Sequence, residues 1–89
     1  MIKVLELISA EHPVLRLRFS NGSVGEVDLS PMIARDTAMT APLADPDYFA
    51  RVFLEAGAPT WPNGFDLAPW ALHADLAAAG ALQTAEDAA

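Results

Sequence analysis

The sequence predicts an α+β domain with antiparallel strands, and three observations carry that expectation. Leu15, Leu17 and Phe19 alternate with Arg16 and Arg18 at the two-residue period of a half-buried strand. Ser20-Asn21-Gly22-Ser23 follows at once as a hairpin signal, because Asn and Gly tolerate the positive φ that tight β connections need. Near the other end Leu72, Leu76 and Ala79 recur at helical spacing.

In chain order, Ile2 to Ile8 reads as a strand with one buried face, and Glu11-His12-Pro13 turns the chain. Val14 to Phe19 is the second strand and Val24 to Leu29 the third, burying Val27 and Leu29. A strict two-residue Asn-Gly loop would set charges against the apolar face. The expectation is therefore a shifted register, through a three-residue loop or bulge, that pairs Leu17 with Val27, Arg18 with Glu26 and Arg16 with Asp28. Ser30-Pro31 reads as a helix start with Ser as cap, and Asp36 to Pro42 as a polar, mobile loop. Asp45-Pro46 repeats the cap signal before one helical turn through Tyr48 and Phe49. Val52 to Glu55 and Ala58 to Trp61 are short strands joined at Gly57, with Pro59 confining the second to an edge. That makes about five strands. Pro69 opens the C-terminal helix, which stops at Gly80. Residues 1–80 form the single domain and 81–89 a frayed acidic, Ala-rich tail.

Composition bounds the function. The 89 residues suffice for one domain that buries roughly 60 to 65% of its unfolded surface, a size compatible with oligomerisation. With no cysteine there is no disulfide framework, thiolate metal site or cysteine nucleophile. Five basic residues against twelve acidic ones give a net charge of −7, which repels phosphate backbones and anionic membranes. No apolar run is long enough to span a bilayer, and charge interrupts the N-terminal apolar stretch, so the expected location is cytoplasmic.

Trp61-Pro62-Asn63-Gly64-Phe65-Asp66-Leu67-Ala68-Pro69 is the densest stretch for chemistry. Asn63-Gly64 reads as a positive-φ turn, and Asp66 as an Asx-turn or N-cap carboxylate for the following helix. Read functionally, Trp61, Asn63 and Asp66 line a shallow pocket or partner-facing patch, extended by Trp70 if both indoles are exposed. His73 has no second His at i+4 for a helical metal pair. The serines occupy turns and caps, outside any Gly-x-Ser-x-Gly elbow, and the five glycines form no phosphate loop. No catalytic residue, metal ligand or cofactor is assigned.

Phe19-Ser20-Asn21-Gly22, Val27-Asp28-Leu29, Pro42-Leu43-Ala44-Asp45, Phe49 and Trp61-Pro62-Asn63-Gly64 with Asp66-Leu67 and Pro69 resemble, in order, the landmarks of the bacterial domain-of-unknown-function family 2442. The resemblance implies an α+β domain with a small curved antiparallel sheet and short helices, without an assigned activity. It also implies a gene setting similar to toxin and antitoxin pairs. Some relatives carry an added helix-turn-helix domain, for which too few residues follow Asp66 here. The leading expectation is a non-catalytic interaction or accessory module, self-associating or bound to a small partner. The alternative is a small-molecule binder or weak enzyme with a pocket around Trp61, Asn63 and Asp66. A third reading is a regulator that reaches nucleic acid only through a partner.

Overall fold

The computed structural model describes residues 1–84 and has the expected α+β architecture. Its five strands divide into two antiparallel sheets: β1 (Val4–Glu11), β2 (Val14–Phe19) and β3 (Val24–Asp28) in that order, then β4 (Phe53–Glu55) with β5 (Ala58–Thr60). The Val4 amide donates to the Gly57 carbonyl at 2.8 Å and joins the two sheets at the edge of β1. Between and after them lie α1 (Ser30–Ile33), a 3₁₀ turn at Ala41–Ala44, α2 (Pro46–Phe49) and α3 (Pro69–Ala78).

Strand β1 starts and ends later than expected, because its apolar residues do not keep a single period. Leu5 and Ile8 are skipped in the ladder with β2, which pairs Val4 with Phe19, Glu6 with Arg18, Leu7 with Leu17 and Ser9 with Arg16. Each skipped residue is pushed outward, and Leu5 is 61% exposed.

The β2–β3 register differs from the expected one by two residues. Leu17 faces Gly25, Leu15 faces Val27 and Arg16 faces Glu26. The expectation had the right parity and the wrong loop, and the cause is the turn itself. A three-residue hairpin loop puts its third residue in the left-handed region, and Gly22 takes that place at φ +87°. The loop is thus Ser20-Asn21-Gly22, closed by Phe19 N–H to Ser23 O at 2.8 Å. Arg16 pairs with Glu26 at 2.8 Å, while Arg18 turns to Glu6 on β1 at 3.0 Å instead of to Glu26.

Helix α1 is capped from two residues earlier than predicted. Ser30 is its first residue, and the Asp28 carboxylate accepts the Ser30 N–H at 2.8 Å. Helix α2 begins as read, with Asp45 accepting from the Asp47 N–H at 3.0 Å ahead of Pro46. The stretch expected as a mobile loop is closed on itself: Thr37 and Thr40 exchange N–H to Oγ1 bonds of 3.0 and 3.1 Å, and Thr40 is buried. Helix α3 is terminated by Gly80 just past its end, φ +67°, with Gly80 N–H to Ala77 O and Ala81 N–H to Leu76 O at 3.1 and 2.8 Å.

The chain beyond Gly80 is not simply frayed. Val24 and Gln83 exchange backbone bonds of 2.8 Å each, so the segment returns to the edge of β3, and Leu82 packs on the core. The remainder of the predicted tail, residues 85–89, lies outside the described residues. Leu15, Leu17 and Phe19 from β2 meet Leu43, Phe49, Trp61, Leu72 and Leu76 in one core. Among the described residues no helix is long and apolar enough to cross a membrane.

Candidate functional site

The segment after β5 is a second hairpin built like the first. Trp61 N–H bonds Phe65 O, Gly64 N–H bonds Trp61 O, both at 2.9 Å, and the Asn63 Oδ1 accepts the Phe65 N–H at 3.1 Å. In the β2–β3 loop Asn21 Oδ1 accepts the Ser23 N–H at the same 3.1 Å, and Gly64 and Gly22 share φ +87°. At either glycine an added Cβ would meet open space, so the positive φ alone calls for glycine there. Thr60 bridges Asp66 across the base of the second loop, and Leu67 N–H bonds Pro59 O at 3.0 Å.

This geometry separates the four predicted site residues. Trp61 is 0% exposed; its Nε1–H donates to the Phe49 carbonyl at 3.0 Å, and its ring lies 5.9 Å from those of Phe49 and Phe65. An indole so enclosed offers no contact surface and is a core anchor. Asn63 is exposed, yet its groups are spent inside the molecule. Its Nδ2 donates to Met39 O and its N–H to the Tyr48 hydroxyl, each at 3.0 Å, so it ties the turn to α2 and to the Thr37–Thr40 loop. Asn63 thus takes the Asx-turn role expected of Asp66. Nor does Asp66 cap α3: Ala68 precedes that helix, no side chain caps it, and Pro69 opens it.

The Asp66 carboxylate is exposed and lies on a cavity of about 400 Å³ between α1 and α3. Met32, Phe65 and Leu72 give the cavity its apolar surface, and Arg35, Asp66 and Asp75 bring three charges to it. Among the described residues the ion pairs are Arg16–Glu26 and Arg18–Glu6, so these three groups form no ion pair with one another. Arg35 and Asp75 are the site residues that sequence reasoning missed. Ala68, Ala71, Leu72 and Asp75 share one side of a helix, a spacing from which Asp75 was recoverable. Arg35 arrives from a distant segment with no sequence signal.

Trp70 is 65% exposed and does not line the cavity. It stands with Ala74 and Ala77 on another side of α3. His73 packs its ring edge-to-face on Phe19 at 5.2 Å, and its Nε2 accepts from Asn21 Nδ2 at 3.0 Å, which fastens the first hairpin to α3. Among the described residues no group of three or more His, Asp or Glu is placed to hold a metal ion.

The comparison with protein families now bears on this arrangement. The sequence model described as "Protein of unknown function (DUF2442)" matches residues 7–76, which include both Asn-Gly hairpins and all but the last two residues of α3. The chain belongs to the DUF2442 family. No curated protein and no solved structure matches it. In this DUF2442 chain the matched region also holds every residue named above for the cavity, from Met32 to Asp75.

Proposed function

We propose that this protein is a non-catalytic interaction module that associates with a second copy of itself through the outer face of α3. One observation carries the reading. The helix Pro69–Ala78 is apolar almost all round, a pattern expected of a helix covered on every side. Only Leu72 and Leu76 on it are buried, while Trp70, Ala74 and Ala77 face outward. Small residues beside one aromatic allow a second helix to approach closely, and tryptophan is favoured as an interface anchor. The face carries no charge, so two chains of −7 can meet there without setting like charges in contact.

The groups that elsewhere perform chemistry support a structural role here. His73 is engaged by Phe19 and Asn21, Ser23 donates to Asn21, and the Ser20 Oγ accepts the Lys3 N–H. Size-exclusion chromatography with light scattering tests the proposal. The full chain is expected to approach the mass of two chains as concentration rises, and Trp70→Glu to remain at the mass of one with an unchanged melting curve. A wild type that stays at one chain mass throughout would sink it.

A second reading is favoured by the cavity itself. About 400 Å³ is within the range of small-molecule sites, and a few charged groups beside apolar walls match their usual make-up. Asp66 lines this cavity, whereas Trp61 and Asn63, expected beside it, bond Phe49 and Met39 and do not line it.

A further inference from the structure

We propose that the α1–α3 cavity binds a small zwitterion with an apolar side chain, of the α-amino-acid class. The inference rests on the small-molecule reading above and is independent of self-association. Its ground is the charge set. The cavity bears both signs, the guanidinium of Arg35 at the end of α1 and the carboxylates of Asp66 and Asp75 beside and on α3. None of the three makes an ion pair with another protein group among the described residues. An anion would meet two carboxylates, and a cation would meet the guanidinium. A ligand carrying an ammonium and a carboxylate satisfies both, with the ammonium on Asp66 and Asp75 and the carboxylate on Arg35 as a charge-assisted pair. Met32, Phe65 and Leu72 supply the surface for the side chain.

Size agrees with this class. The cavity of about 400 Å³ lies toward the lower end of the range of small-molecule sites and has room for a ligand the size of an aromatic amino acid.

The test is a nitrogen-15 NMR titration of the full chain with L-phenylalanine, N-acetyl-L-phenylalanine, L-phenylalaninamide and benzyl alcohol. The first analogue lacks the ammonium, the second the carboxylate, and the alcohol both. L-phenylalanine is expected to give saturable shifts at the amides of Ala68, Ala71 and Leu72, with affinity about tenfold or more above either analogue. Arg35→Gln should weaken L-phenylalanine and the acetyl compound and leave the amide bound at least as tightly as before. Asp66→Asn with Asp75→Asn should weaken L-phenylalanine and the amide and leave the acetyl compound bound at least as tightly as before. Equal affinities for the three compounds, or an amide that binds ahead of the amino acid, would overturn the assignment. Saturation by benzyl alcohol without any by L-phenylalanine would overturn it while leaving a small-molecule pocket standing. No saturable shift with any compound would end both. Light scattering on the same samples scores self-association separately.

Discussion

Asn63 makes three hydrogen bonds from an exposed position: one closes its own turn, one reaches Met39 and one reaches the Tyr48 hydroxyl. Asp66, three residues on, accepts none through its carboxylate from the described residues. Asn63→Ala is therefore expected to lower stability by about 1–3 kcal/mol, since it loses two side-chain bonds and leaves the Met39 carbonyl and Phe65 N–H to find water. Asp66→Ala should change stability by about 0.5 kcal/mol or less. Chemical denaturation of the two variants side by side checks the contrast. Asp28 gives a pH prediction. The Ser30 hydroxyl, then the Ser30 N–H, hold its carboxyl below the ordinary aspartate value of 3.8. A depressed folded-state pKa adds stability that is complete above the ordinary value and is lost as pH falls through the lowered one. Denaturation from neutral pH to below about pH 4 should show the advantage of wild type over Asp28→Asn shrinking on the acid side. An advantage that grows there would contradict the cap.

At the scale of elements, the two Asn-Gly hairpins and the β4–β5 hairpin differ in how they meet the demand for positive φ. The Asn-Gly loops place one residue there, a glycine. The β4–β5 loop places two, Ala56 at φ +51° and Gly57 at φ +82°, and alanine is the strained member. Ala56→Gly should raise stability by about 0.5–1 kcal/mol. Gly57→Ala should lower it by about 1–3 kcal/mol, because the new methyl would also stand 2.7 Å from the Lys3 Cβ. Thermal melts of both variants decide this, and a Gly57→Ala protein as stable as wild type would refute the assigned turn. These elements also show what could be read in advance. Asp45-Pro46, Gly80 and the turn-closing bonds of each Asn-Gly pair reach residues within four positions, so their signals are local and legible. The β2–β3 register was not fixed by face alternation, because shifts of two residues preserve the face. Only the choice of Gly22 over Ser23 for the left-handed position decides it.

For the whole molecule, charge and association are linked. Each copy carries −7, yet the proposed contact face is uncharged. Self-association should therefore strengthen with added salt, as screening weakens repulsion between the bodies of the two chains over a Debye length of about 10 Å at 0.1 M. Sedimentation equilibrium across a salt series measures it, and a dimer that dissociates with salt would point to a charge-paired interface instead. The exposed pairs Arg16–Glu26 and Arg18–Glu6 stay within the monomer and do not enter this balance.

The sequence by itself determined the α+β class, the strand and helix order, the caps at Asp45 and Gly80, and the family, because each depends on neighbours along the chain. Tertiary structure decided which side chains remain for binding. Burial of Trp61, the three bonds of Asn63 and the outward stance of Trp70 follow from segments far apart in sequence converging on one core. The meeting of Arg35 with Asp66 and Asp75 has the same origin. A side chain's solvent exposure is a property of what packs over it, and no local pattern records that.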